Sequence, residues 1–348
     1  MARLRFAVLI LPLLLGGGAA AAQTHMHNGT DSEKTEFRGF ADVTFLESGQ
    51  PDRHSSFGLG QYVFFITSPL AEHISFLGET TFQYNTAFQA TIERVIVTFS
   101  PTNYFRVSMG RLHTPIGYWN NTYHHGTLIQ PTIDRPVMFL FENRRGVLPI
   151  HTTGIQVGGR DVSPLHLGYD IMIGNGIGST PTTDNDRAKS YTVSLHSQVT
   201  SALRIGASFY GDHIAAGTLN LAGTPMSQGV GQRMVGGFAV LQGSQYELLA
   251  EYQHSRNRPD SLGGPTITHA MYAYGGYRLG ELVPYVRFDR LLFPAGDLYY
   301  TDDDVRLGIV GARYDFSPQA TGKFELRRRT TTSAGTFTEV AAQIAVGF

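Results

Sequence analysis

Sixteen segments of this 348-residue chain alternate apolar and polar residues with a period of two, most of them over nine to fourteen residues. That period marks a strand with one apolar and one polar face. In the first, Phe37, Gly39, Ala41, Val43 and Phe45 fall on one side, and Glu36, Arg38, Asp42 and Thr44 on the other. The rest lie near 56–67, 70–84, 87–99, 103–111, 150–160, 164–174, 187–199, 201–212, 231–241, 244–256, 266–278, 281–292, 303–314, 318–330 and 335–348. A strand of a globular domain is usually about 5–6 residues, whereas a tilted strand crossing a bilayer needs roughly 9–11.

The connections add an independent constraint. Ser68-Pro69, Ser100-Pro101-Thr102, Asp161-Val162-Ser163, Thr200, Gly243, Gly280 and Phe316-Ser317 read as tight turns. They alternate with the longer stretches 48–55, 112–149, 175–186, 213–230, 257–265 and 293–302, with 85–86 and 331–334 as short exceptions. Short periplasmic turns opposite long external loops are the pattern of a membrane barrel. The expected fold is all-β: a 16-stranded antiparallel transmembrane β-barrel, with both termini on the periplasmic side.

In such a barrel the apolar face meets lipid and the polar face lines a water-filled interior. Leu203, Ile205, Ala207 and Phe209 are thus expected outside, and Arg204, Ser208 and Tyr210 inside. The same parity places Arg38, Asp42, Glu79 and Asp170 in the pore lining, followed by Glu247, Glu251, Arg287 and Asp289, then Arg327 and Arg329. Basic and acidic groups facing each other across a lumen set up a transverse field suited to small hydrophilic solutes or ions.

Arg3 and Arg5, the apolar run Phe6 to Leu15 and Ala20-Ala21-Ala22 form a secretory signal over 1–22, followed by a polar tail over 23–34 and the barrel over 35–348. Without the signal, 25 basic residues face 28 acidic ones, a balance that does not suit a nucleic-acid partner. The absence of cysteine excludes a disulfide scaffold and thiolate metal sites.

The histidines are the candidate metal ligands: His25 and His27, then His113, His124, His125 and His151 around the longest non-strand stretch. None has HExxH spacing, so they are read as polar pore lining and no metal is expected. Gly174-Asn175-Gly176-Ile177-Gly178 is not followed by a helix and reads as an external turn, and Asp302-Asp303-Asp304 lacks EF-hand spacing. A hydrolase needs a base-activated nucleophile. Ser194 with His196 is the nearest pair by spacing, no nucleophile elbow is present, and the chain is read as a non-enzyme without cofactors.

Val340, Ala342, Ile344, Val346 and Phe348 alternate with Glu339, Ala341 and Gln343. The segment resembles the last strand of bacterial outer-membrane barrels, which implies that Phe348 is the signal read by the barrel-assembly machinery. Phe105-Arg106-Val107-Ser108-Met109-Gly110-Arg111-Leu112-His113-Thr114-Pro115-Ile116-Gly117 resembles phosphate-selective (O and P type) porin-like barrels, in which a strand ends in a Gly-basic pair before a Pro-x-Gly corner. Asn175 to Gly178 resembles that group's glycine-rich external loop. The resemblance implies a bacterial outer-membrane porin passing small hydrophilic solutes or ions, embedded in outer-membrane lipids and possibly assembled as a homotrimer. Lysine-lined anion pores are its departure point, since only Lys34, Lys189 and Lys323 are present here.

In porins the third external loop folds inward, so the resemblance assigns 112–149 to the constriction. Arg106, Arg111 and His113 at its start, Asp134 and Arg135 within it, and Glu142, Arg144 and Arg145 near its end are the expected constriction residues. Their charges either select ions or tie the loop to the wall. The alternative functions are a non-conducting structural or adhesive barrel plugged by this loop, and a barrel-embedded hydrolase.

Overall fold

The structure, a computed structural model, describes residues 34–50, 53–84, 87–124, 126–140 and 146–348. The signal segment 1–22, nearly all of the 23–34 tail, and Glu142, Arg144 and Arg145 lie outside the described residues. Sixteen strands run in chain order: β1 (Glu36–Ser48), β2 (Ser56–Ala71), β3 (Ile74–Tyr84), β4 (Phe88–Thr102), β5 (Phe105–His113), β6 (His151–Val162), β7 (Leu167–Gly174) and β8 (Ser190–Gln198). They continue as β9 (Leu203–Ile214), β10 (Val230–Gln242), β11 (Tyr246–Pro259), β12 (Thr266–Tyr277), β13 (Leu282–Leu292), β14 (Val305–Ser317), β15 (Ala320–Thr331) and β16 (Gly335–Gly347). Each pairs antiparallel with its sequence neighbour, and β1 pairs with β16 to close the barrel, Val43 opposite Ile344. Beyond β16, Phe348 continues the seam: Gly39 N–H donates to Phe348 O at 2.8 Å, and the Phe348 ring packs on Tyr62 and Phe64.

The expected alternation is realised. On β11, Tyr246, Leu248 and Tyr252 are exposed, while Leu249, Glu251, Gln253 and Ser255 are buried. Phe57, Leu59, Phe88, Ile92, Phe324 and Leu326 are likewise exposed on other strands. A continuous exposed apolar surface of this kind belongs in lipid, because water would penalise it and no edge is left unpaired. Among the described residues no helix is long and apolar enough to cross a membrane.

The turns depart from expectation in position. Ser68-Pro69 lies within β2 and Ser100-Pro101-Thr102 within β4, and the chain reverses later, at Glu72-His73 and Asn103-Tyr104. Each proline falls at a register shift, between Pro69 and Ala71 and between Phe99 and Thr102. A missing N–H is tolerated where the ladder is already broken. Phe316-Ser317 similarly ends β14, with the turn at Pro318-Gln319.

One glycine is dictated by close approach. Gly110 has φ 139°, and a Cβ there would lie 1.8 Å from Val95 O on β4. Gly110→Ala is therefore expected to cost at least about 1–3 kcal/mol from backbone strain alone, besides the collision with the ladder. Thermal unfolding of the detergent-solubilised barrel followed by circular dichroism checks this, and an unchanged transition would refute it.

Candidate functional site: the 114–150 segment and the wall it is tied to

Among the described residues between β5 and β6 there is no strand. Pro115 and Gly117 form the expected corner: Ile116 N–H donates to Thr114 O at 2.7 Å, and Gly117 takes φ 70°. A Cβ on Gly117 would meet Glu251 Oε2 at 2.5 Å, so glycine lets the backbone reach that carboxylate. A short helix, α1 (Trp119–Thr122), follows, and a 3-10 turn covers Val137–Phe139.

The segment has its own apolar contacts. Ile116, Trp119, Met138, Phe139, Leu148 and Ile150 are buried in one cluster with Tyr210, Met234, Leu249, Tyr272 and Tyr300 from β9 to β12 and the connection after β13. Trp119, the only tryptophan, meets the Tyr272 ring edge-on at 5.7 Å.

Many of its polar ties fall on the buried face of the odd-numbered strands β11, β13 and β15, beside others such as Gln242 Nε2 on β10 donating to Tyr123 OH at 3.1 Å and Tyr300 OH donating to Val147 O at 2.8 Å. Glu251 on β11 accepts from Tyr118 N (2.6 Å), Trp119 N (2.7 Å) and Tyr272 OH (2.7 Å). Asp289 on β13 accepts from Val137 N at 3.2 Å, and Glu325 on β15 from Ile133 N at 2.9 Å. The cations beside them take the oxygens of the same segment. Arg287 donates to Thr132 Oγ1 and Asp134 O, both at 2.5 Å, and Lys323 donates to Thr127 O and, at 3.3 Å, to Thr132 O. Arg327 donates to Asp134 Oδ2 at 2.7 Å. Enclosure by the barrel raises the Asp134 carboxyl, and the guanidinium groups of Arg327 and Arg287 outweigh this, holding it below the ordinary carboxylate range.

Other expected lining residues pair along the wall. Glu79 on β3 joins Arg94 on β4, both almost wholly buried. Asp170 accepts from Arg106 at 2.5 Å and from Gln156 at 2.7 Å. Glu247 meets Arg313 at 3.1 Å and Arg278 at 3.4 Å, and Arg329 meets Glu339 at 3.3 Å. Arg204 is half-buried on β9. Arg38 sits at the end of β1, its side chain 63% exposed and paired with Glu36. Arg111 is half-buried on β5 and lies opposite Val95 and Thr153.

Arg135 is buried and donates to His124 O (2.6 Å) and Phe139 O (3.3 Å). His113, at the end of β5, packs against His124 and His151, with ring centroids 4.2 and 5.3 Å away. Ser194 and His196 share a face of β8, and no hydrogen bond joins them among the described residues. Ile177 of the glycine-rich loop is buried and donates its N–H to Asp212 at 2.8 Å, so this connection is anchored to the wall.

One pair central to this geometry, Glu93-Arg94, is not singled out by the alternation, whereas Lys323 falls on the inward face that alternation assigns it. The register shift between Glu79 and Thr80 makes Ile92 follow Arg94 as the next paired residue, so consecutive Glu93 and Arg94 are both buried. Such a bulge has no signature in a period-two pattern.

Beside the segment remains a polar cavity of about 190 Å³, bordered by β1 to β3, β16 and the 127–140 stretch, with Asp42, Gln61, Gln83, Gln130, Asp134 and Gln343 in its lining. Asp42 accepts from Gln61 N (2.9 Å) and Gln343 Nε2 (3.0 Å) at its edge.

No protein-family model matches the sequence, and no curated protein matches it. Solved structures match the fold. The anion-selective porin from Comamonas acidovorans superposes with TM-score 0.66 at 11% identity, over 90% of this chain and 99% of its own. OmpT of Vibrio cholerae, an outer membrane protein solved in a trimer form, gives TM-score 0.65 at 13% identity over 90% and 99%. OmpF of Salmonella typhi, solved with daunomycin, gives 0.63 at 13% identity over 91% and 98%. The chain shares the closed sixteen-stranded barrel fold of these outer-membrane proteins.

Proposed function

We propose that the protein is a bacterial outer-membrane porin that passes small hydrophilic solutes or ions, with 114–150 folded into the lumen as its constriction. The observation that carries this reading is the polar cavity left between the segment and the wall towards β1 to β3. The segment's apolar residues and most of its backbone ties engage β9 to β15, while on the other side it meets Phe40 and Asp42 on β1 without filling the space beside them. A plug would leave no such space. Passage would follow Asp42, Gln61, Gln83 and Gln343 on the wall and Gln130 and Asp134 on the loop, amides and carboxylates that exchange hydrogen bonds with a hydrated solute at little cost. Phe348 would serve as the assembly signal, and the trimer form of the Vibrio protein supports a homotrimer here.

Planar-bilayer recordings test the reading. Purified protein is expected to conduct, and Asp42→Asn to move the zero-current potential in a salt gradient towards anions, since it removes a fixed negative charge at the passage. Absence of conductance would favour a closed structural barrel. Conductance with an unmoved potential would place the passage elsewhere.

A further inference from the structure

We propose that His113, His124 and His151 bind one divalent transition-metal cation of the zinc class, with Glu93 as a fourth ligand. The site goes beyond the porin reading and does not depend on it. His113 is the last residue of β5 and His151 the first of β6, and they face each other in register. His124 comes from the segment between them, just past α1, and completes a triangle with ring centroids 4.2, 4.5 and 5.3 Å apart. One donor nitrogen of each lies within 4.8 Å of the others, and all three residues are buried. Glu93 Oε2 stands 3.6 Å from His151 Nε2.

The donor set selects the cation. Imidazole nitrogens with one carboxylate oxygen suit Zn²⁺ and its borderline neighbours, while calcium and magnesium take oxygen cages. The local charge sharpens this choice. Arg94, Arg111 and Arg135 all bear on His151 and oppose a cation, whereas Glu79 and Glu93 offset them. Only a metal that forms strong bonds to neutral nitrogen overcomes that field.

Asn120 sets the orientation of His124. Its Nδ2 donates to Thr114 O (2.9 Å) and Ile150 O (3.2 Å), which leaves its Oδ1 as an acceptor towards His124 Nδ1 at 2.9 Å. His124 Nδ1 then carries the proton and Nε2 presents its lone pair, the arrangement that outer hydrogen bonds impose on metal-binding histidines. Arg135 Nη1, 3.4 Å from the same Nδ1, directs its shorter bond through Nη2 to His124 O. Tetrahedral binding needs donors roughly 3.4 Å apart, a contraction within reach of side-chain torsions. The bound metal would clasp the two ends of the segment to a point within it.

The test uses the full mature protein, folded in detergent, stripped with chelator and dialysed against Zn²⁺, with bound metal counted by mass spectrometry. One equivalent is expected, retained in His25→Ala/His27→Ala and lost in both His124→Ala and His113→Ala/His151→Ala. Asn120→Ala should weaken binding about 10–100-fold. Co²⁺ in the wild-type protein should give the intense visible bands of a tetrahedral site. Heat-modifiable gel migration verifies that each variant retains its barrel. Folded His124→Ala that keeps its equivalent, loss that follows His25 and His27 instead, or wild-type protein with neither bound Zn²⁺ nor the Co²⁺ bands would overturn the proposal.

Discussion

Arg94→Ala is expected to destabilise the barrel wall by about 3–5 kcal/mol, the cost of stranding one member of a buried ion pair. Glu79 is 1% exposed and Arg94 7%, so neither can exchange its partner for bulk water. Arg94 also lies over the Phe65 ring at 5.7 Å, and truncation removes that contact too. The decisive comparison is the double variant Glu79→Gln/Arg94→Met. Replacing both charges with groups of similar volume removes the stranded charge, and most of the lost stability should return. Thermal unfolding of the wild type, Glu79→Gln, Arg94→Met and the double variant in a double-mutant cycle measures this. A double variant as unstable as the single one would show that packing, and not the uncompensated carboxylate, dominates at this position.

Glu251→Ala should release the start of the 114–150 segment. It removes the acceptor of three buried donors, Tyr118 N, Trp119 N and Tyr272 OH. With each buried unsatisfied donor costing about 1–3 kcal/mol, the total is at least about 3 kcal/mol. At roughly 1.4 kcal/mol per tenfold, that shifts docking against release about a hundredfold. The chain's single tryptophan reports the event directly, because Trp119 is 0% exposed when docked. Its emission should move to longer wavelength and become open to a soluble quencher, while Glu251→Gln, which keeps an acceptor oxygen, should change less. Unchanged emission and quenching in Glu251→Ala would mean that the apolar cluster alone holds the segment.

Strand number, strand length and the side facing lipid were legible because each depends on a local period, and a closed barrel repeats that period sixteen times. Pro115 and Gly117 were legible as a corner because proline and glycine restrict the backbone wherever they stand. The partners of the segment were not. Tyr118 finds Glu251 across 133 residues, and Ile133 finds Glu325 across 192. No local pattern specifies a contact at such range. The same limit explains why charges on β11, β13 and β15 looked like free lumen lining. Glu251, Asp289, Glu325, Arg287 and Arg327 are engaged with the segment, so at these positions the tie between loop and wall is the reading the geometry favours. The bulge at Glu93-Arg94 and the shifted turns at Pro69 and Pro101 belong to a third class, in which the ladder slips by a residue and alternation misreports the face.

The seam between β1 and β16 has a consequence for how the molecule forms. Fifteen of the sixteen strand pairs join neighbours in the chain, most of them as local hairpins, but Asp42 and Gln343 meet at the seam from 301 residues apart. Closing a loop of that length costs about 5 kcal/mol in chain entropy by the logarithmic length dependence, before any constant term. Until then β1 and β16 are both open edges that can template pairing with other chains. Folding is thus a race between ring closure and intermolecular strand addition, and a chaperone that shields these two edges would change the yield more than one acting on any hairpin.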